Sequence, residues 1–184
     1  MHIRFKIFSA GLGLLPLGWA AALAIAPLLL TGCESYDVTL NDKLVYGPAR
    51  LFRHFEIPDV ALHDCVSQAI ADQGVTQPQD LKTLNCSSAG IKDLEGLSVF
   101  PGIRQLKLSD NQIRNLVVLE QLAGLQALWL DNNAVVDPVP LARLTQLARV
   151  DLSGNPGLQC PKPGLLSGIA ELTLPAHCAG QSSQ

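Results

Sequence analysis

Aromatic residues are scarce in this chain of 184 residues, at 5% of the composition, and charged residues make up only 16%. The hydrophobic content of 48% excludes an intrinsically disordered chain, which has few apolar residues and many charges. The net charge of −3 gives no support to nucleic-acid binding, because that needs a surplus of basic side chains. The length allows one or two domains.

Motifs of catalysis and of cofactor binding are also missing. There is no P-loop, no dinucleotide fingerprint, no Gly-x-Ser-x-Gly and no Cys-x-x-Cys. His63-Asp64 resembles the metal-binding dipeptide of phosphohydrolases, but two more histidines at suitable positions would be needed, and we interpret the pair as solvated helix residues. The sequence therefore predicts no enzyme and no metal site.

The first thirty-two residues have the pattern of an export signal. Arg4 and Lys6 precede an uncharged run, and a basic start before an apolar stretch is typical of secretory signals. The stretch from Ile7 to Leu30 is also long enough to span a bilayer as a helix, so an uncleaved anchor is the alternative. Both interpretations direct the rest of the chain out of the cytoplasm.

Leu30-Thr31-Gly32-Cys33 resembles the bacterial lipobox. The resemblance implies that residues 1–32 are removed and that the Cys33 thiol receives a diacylglycerol, which would be the only bound group. It implies a lipoprotein of the bacterial cell envelope, with the membrane as a partner. Glu34 stands where an Asp would favour the inner membrane, so we expect the outer membrane.

Four cysteines follow Cys33, and an even number in an exported chain indicates disulfides. They are Cys65, Cys86, Cys160 and Cys178. Of the three possible pairings, proximity in the sequence favours Cys65–Cys86 and Cys160–Cys178. Buried free thiols are the alternative.

A repeat of 22 residues runs through the second half of the chain, with the consensus L-x-x-L-x-L-x-x-N-x-I. Three apolar columns continue through five units, and an asparagine column continues through three. The columns are Leu81, Ile103, Leu125, Leu147 and Ile169; Leu84, Leu106, Leu128, Val150 and Leu172; Cys86, Leu108, Leu130, Leu152 and Leu174; and Asn111, Asn133 and Asn155. Such self-similarity indicates a solenoid, because one unit cannot bury its apolar face alone.

The consensus resembles the 22-residue leucine-rich repeats of bacterial internalins. The resemblance covers residues 81–178 and implies an α/β solenoid with a parallel sheet on its concave face. The L-x-L stretch predicts a strand whose alternate residues point into the core. Ala89 and His177 stand in the asparagine column of the first and fifth units, and no convex segment follows the fifth. We therefore predict about four full units and a closing strand.

An N-terminal helical cap is predicted over residues 58–80. Leu62, Cys65, Val66, Ala69 and Ile70 share one helix face. Asp59 is the predicted N-cap, and Gly74 ends the helix. The helix would cover the first coil and bring Cys65 to Cys86, while Cys160 would hold the turn at residues 161–163 against Cys178.

Residues 33–57 are predicted as a tether, and the polar residues 179–184 as a flexible tail. Within the tether, the alternation of side chains around Asn41-Asp42 indicates a short hairpin.

The residues between the buried columns would point outwards from the concave face. Trp129 is the only tryptophan after Cys33, and tryptophan and arginine are enriched among the residues that dominate interface energies. We predict binding of another protein, or of a glycan, through Lys107, Trp129, Asp131, Arg149 and Asp151. The alternative is a structural envelope protein without a ligand, in which Trp129 lies flat across neighbouring side chains.

Overall fold

The computed structural model of this protein describes residues 38–40, 43–46 and 50–178. The chain divides into two compact units, residues 1–49 and 50–184. The predicted export signal, the lipobox with Cys33 and the predicted tail lie outside the described residues. Within the described part, no helix is both long and apolar enough to cross a bilayer.

The first unit contains a pair of antiparallel strands. Strand β1 (Val38–Leu40) pairs with β2 (Lys43–Tyr46), and Leu40 lies opposite Lys43. The pairing is irregular between Val38 and Thr39. Two residues separate the strands in the sequence, as in the hairpin predicted around them.

The first helix of the second unit is the predicted cap helix, α1 (Val60–Gln73). The Asp59 carboxylate accepts a hydrogen bond from the Leu62 backbone N–H at 3.1 Å and so caps the helix. Gly74 ends the helix in the left-handed conformation, with φ of 64°, which glycine adopts without steric cost. The inner face buries Leu62, Val66 and Ile70.

Five parallel strands form one sheet in chain order. They are β3 (Thr83–Asn85), β4 (Gln105–Lys107), β5 (Ala127–Trp129), β6 (Arg149–Asp151) and β7 (Glu171–Thr173). Each residue pairs with the one 22 positions further on, so that Leu84, Leu106, Leu128, Val150 and Leu172 are aligned across the sheet. These central side chains point into the core, and the two neighbours in each strand point outwards. The predicted leucine-rich-repeat solenoid is confirmed.

The convex side returns through short 3-10 turns rather than full helices. These turns are Leu97–Val99, Val117–Gln121 and Val139–Arg143. Before each turn an Asp or Asn side chain accepts a hydrogen bond from the backbone N–H two residues further on, at 2.9–3.0 Å. The three residues, Asp93, Asn115 and Asp137, are themselves 22 apart and form a further column that the predicted consensus does not include.

The asparagine column connects successive coils. The Asn133 side chain accepts a hydrogen bond from the Ile113 N–H at 3.0 Å and donates to the carbonyl oxygens of Leu108 and Leu130. Each asparagine thus bonds to the backbone of the coil before its own. The first coil is preceded by the cap instead of another coil, which explains why Ala89 suffices there.

Both disulfides that proximity favoured are formed, and each closes one end of the array. Cys65–Cys86 attaches α1 to the first coil, with Cα atoms 5.8 Å apart. Cys160–Cys178 attaches the last turn to the loop before β7, with Cα atoms 5.3 Å apart.

The last residues of the predicted tether pack against the cap. Ile57 is buried, and Phe52 and Phe55 are half-buried against the core. The Phe52 backbone N–H donates to the Val75 carbonyl oxygen at 2.9 Å. These apolar side chains, which belong to the predicted tether, therefore complete the core around α1.

Candidate functional site

Trp129 lies near the middle of the concave sheet, on the third of its five strands. Lys107 and Asp151 are its lateral neighbours on β4 and β6, as the 22-residue spacing predicted. The Lys107 Nζ atom lies 5.1 Å from the centre of the Trp129 ring, which is a cation–π contact. The indole is half-buried, so part of its surface still faces solvent.

The two predicted aspartates of the site are held by neighbouring hydroxyl groups. The Asp151 carboxylate accepts hydrogen bonds from the Ser153 backbone N–H at 2.9 Å and from its Oγ at 2.7 Å. The Asp131 carboxylate accepts a hydrogen bond from the Ser109 Oγ at 2.6 Å. Both carboxylates are half-buried and keep fixed positions beside Trp129.

Arg149 forms an ion pair with Glu171 on the next strand. The Arg149 Nε and Nη2 atoms lie 2.6 Å and 2.5 Å from the Glu171 Oε2 atom. Glu171 was not among the predicted site residues, although it lies 22 residues after Arg149 and the repeat spacing aligns the two. Both side chains are at least half exposed, so the pair remains accessible.

The edge of the concave face turns at a column of left-handed residues. Ser88, Asp110, Asn132 and Gly154 all have φ between 55° and 67° and are 22 apart. The Asn132 amide donates to the Asp110 carboxylate at 2.9 Å. A Cβ atom on Gly154 would lie 2.1 Å from the Asn132 Oδ1 atom, so a larger residue there would displace this side chain.

One carboxylate joins the cap to the first coil. Besides capping α1, Asp59 accepts hydrogen bonds from the backbone N–H groups of Lys92 at 2.8 Å and Asp93 at 3.1 Å. Burial raises the pKa of Asp59, but the hydrogen bonds from Lys92, Leu62, Asp93 and Ala61 outweigh it and leave the pKa below its ordinary value.

Only one group of possible metal ligands lies together within the described residues. It consists of Cys160, His177 and Cys178, whose ligand atoms lie within 4.8 Å of one another. The two sulfur atoms are bonded to each other and do not present thiolates, which metal binding requires. The His177 Nε2 atom lies 2.9 Å from the Leu158 carbonyl oxygen.

His63 and Asp64 lie on the outer side of α1, away from its buried face. Their Nδ1 and Oδ1 atoms are 3.4 Å apart, and Asp64 is exposed. The His63 ring packs against Phe55, with ring centres 5.2 Å apart. The other two described histidines, His54 and His177, form no hydrogen bond with this pair.

Solved structures of internalins from Listeria monocytogenes have a fold similar to that of this chain. Internalin C2 from Listeria monocytogenes is 25% identical, with a TM-score of 0.55 over 66% of this chain and 54% of that structure. The internalin InlF from the same organism is 20% identical, with a TM-score of 0.56 over 65% and 37%. The functional domain of InlJ from L. monocytogenes, which includes a cysteine ladder, is 23% identical, with a TM-score of 0.55 over 68% and 29%.

The fold is an internalin-like leucine-rich-repeat solenoid. The chain spans about half or less of the length of these three structures. No protein-family model matches the chain, and no curated protein sequence matches it.

Proposed function

We propose that this chain is a lipid-anchored envelope protein whose repeat domain binds another protein through its concave face, without catalysis. The observation that carries the proposal is the position of Trp129. It is the only tryptophan after Cys33, and it lies near the middle of a sheet whose outward side chains are otherwise polar or small. Large amphipathic side chains at the centre of a surface contribute most to protein association.

The polar groups around Trp129 support a defined partner. Lys107, Asp151 and Asp131 surround the indole, and the two carboxylates are fixed by hydrogen bonds. Side chains held in place before binding lose less conformational entropy on association. An internalin-like solenoid supports a role in binding, because its stacked strands present one continuous surface to a partner.

The anchor is proposed from the sequence. The basic residues Arg4 and Lys6, the apolar run and Leu30-Thr31-Gly32-Cys33 support a diacylglycerol on Cys33, with Glu34 favouring the outer membrane. Acyl chains contribute about 0.8 kcal/mol per buried methylene, so two or three chains hold a protein firmly.

Photocrosslinking in intact cells tests the concave face. A photoreactive residue replaces exposed Gln105, which precedes Lys107 on β4 by two positions, and the control position is exposed Gln121 on the convex side. We expect one crosslinked protein from Gln105 and not from Gln121. Trp129→Ala should abolish this product, whereas Val139→Ala, at an exposed convex position, should leave it unchanged.

A structural role without a ligand is the second candidate, and the Lys107–Trp129 contact favours it because it partly covers the indole. Absence of a specific product at Gln105, together with a lower free energy of unfolding in Trp129→Ala, would support this role and refute the first.

The anchor has its own test, in which Cys33→Ser should abolish labelling with a palmitate analogue and leave unprocessed precursor. The reason is that only the thiol accepts the diacylglycerol in the proposed modification. Label that persists in this variant would refute the lipobox interpretation.

A further inference from the structure

A basic and aromatic segment opens the repeat domain. Residues 50–55 read Arg-Leu-Phe-Arg-His-Phe and contain no acidic residue, whereas residues 56–178 carry eight basic and thirteen acidic side chains. Arg50 and Arg53 are both exposed. The segment thus has a local charge of +2, whereas residues 56–178 have a net charge of −5. The acidic residues Glu56, Asp59 and Asp64 follow it in the sequence, so the positive charge of the cap is confined to the segment itself.

An open apolar groove adjoins these arginines. It has a volume of about 310 Å³ and lies between the segment and α1. Phe52 and Phe55 stack with ring centres 6.0 Å apart, and both meet the edge or face of buried Phe100. The two rings are half-buried, so each is fixed on one side and available on the other.

Helix α1 extends this apolar surface. His63, Ser67 and Ala71 line the groove and lie at successive turns of the helix. Val60 lies one turn before His63 on the same face and has 72% of its surface exposed, the largest fraction among the exposed large hydrophobic residues of the described part. The cap patch is the surface formed by Arg50, Leu51, Phe52, Arg53, Phe55 and Val60.

We propose that the cap patch contacts the anionic phospholipid surface of the membrane that carries this chain. Phenylalanine and leucine side chains can bury their apolar surface at the boundary of headgroups and acyl chains, and exposed arginines are attracted to anionic headgroups. The inference rests on the proposed anchor. Arg50 follows Cys33 by 17 residues, so it lies at most about 60 Å from the lipid-bearing residue. An uncleaved anchor ending at Leu30 would impose a similar limit.

The contact is measured on the full-length protein reconstituted in vesicles of phosphatidylethanolamine and brominated phosphatidylglycerol. Val60→Trp places a reporter on the patch at an exposed site, and Val139→Trp is the matched control on the convex side, 49% exposed. Both are made together with Trp129→Phe, so that the two chains differ only in the position of the reporter. Bromine quenches indole fluorescence at short range, so we expect quenching of the first reporter and not of the second.

The arginines are tested by Arg50→Gln together with Arg53→Gln in the Val60→Trp chain. Each basic residue near an anionic surface contributes a factor of about five, so we expect the ratio of docked to undocked cap to fall about 25-fold. Arg114→Gln together with Lys162→Gln removes the same charge from two exposed positions, one in the second coil and one beside the C-terminal disulfide, and should leave quenching unchanged.

Equal quenching of the two reporters, or equal effects of the two glutamine pairs, would overturn the proposal. Dimers in detergent that dissociate in the Arg50→Gln, Arg53→Gln variant would also overturn it, because a second copy would then cover the patch. Labelling of Cys33 with the palmitate analogue tests the proposed anchor separately from the contact of the patch. In an unlabelled chain held by its apolar run, Trp19 is also replaced by Phe, so that the two reporters still measure the contact of the patch with the bilayer.

Discussion

The two ends of the repeat array are closed in different ways. At the N-terminal end, α1 covers the first coil, and Leu81, Leu84 and Ile91 have no exposed surface. At the C-terminal end, a short turn held by a disulfide follows β7 within residues 174–178, and Ile169, Leu172 and Leu174 remain half-buried. A helix with an apolar face replaces a missing neighbouring coil, whereas a crosslinked turn holds the chain without covering the core.

The largest expected effect concerns the central leucines of the two terminal strands. Leu84→Ala should lower the free energy of unfolding by about 2–5 kcal/mol, because it leaves a cavity between the cap and the second coil. Leu172→Ala should cost about 1 kcal/mol, since the side chain is already partly in water. Urea denaturation measures both. Leu128→Ala in the middle of the array should resemble Leu84→Ala, and equal losses at both ends would contradict the comparison.

The two disulfides allow a second comparison of the ends, because they close loops of similar length. They join residues 21 and 18 positions apart. Replacing either pair with alanine should lower the free energy of unfolding by about 3 kcal/mol if the bond acts by restricting the unfolded chain. The two losses should then be nearly equal. A clearly larger loss for Cys65–Cys86 would show instead that this bond maintains the packing of α1.

At the N-terminal end, the Asp59 carboxylate joins α1 to the first coil by hydrogen bonds. Asp59→Ala should cost about 2 kcal/mol, because it removes the helix cap and leaves two further backbone N–H groups without their acceptor. Asp137→Ala, which removes one such bond, should cost about 1 kcal/mol or less. Urea denaturation of the two variants checks the difference, and equal losses would show that the bonds to the first coil add nothing.

The same carboxylate gives the stability a dependence on pH. The pKa of Asp59 is lower in the folded chain than in the unfolded one, so its contribution is present above the unfolded pKa of about 4. The contribution should disappear as the pH falls through the lower folded value. Unfolding measured against pH should therefore show a smaller acid loss in Asp59→Ala, and identical slopes would contradict the assignment.

The smallest effect on the free energy of unfolding is expected from the ion pair between the last two strands, β6 and β7. The ion pair of Arg149 and Glu171 is largely solvated, so a double-mutant cycle with Arg149→Ala and Glu171→Ala should give a coupling below about 1 kcal/mol. The coupling should weaken further in high salt. A larger, salt-insensitive value would indicate that the last strand depends on this pair for its position.

Much of the fold could be predicted because the repeat specifies its own alignment. A spacing of 22 residues places Lys107, Trp129 and Asp151 side by side, and the strands have that register. The geometry of the side chains could not be predicted in the same way. Repeat spacing aligns Cα positions, but whether Lys107 lies over the indole or Ser109 bonds to Asp131 depends on rotamers and local packing.

The segment from Arg50 to Ile57 shows where local patterns stop being informative. It has no repeat and follows Gly47-Pro48, a pattern that predicts a tether, although the segment contains two phenylalanines. Their role depends on Phe100 of the first coil and on Val75 after the helix. These partners are distant in the sequence, and no local periodicity records them.

The amino-acid sequence alone was sufficient to establish the repeat, the alignment of the strands, the capping helix and the favoured cysteine pairs. These features arise from local spacing and from the need of each coil to bury one apolar face against the next. The folded chain was needed to establish which ends are covered, which charges are paired and where the aromatic groove opens. Those properties depend on contacts between separate segments, which exist only after the coils and the cap have packed together.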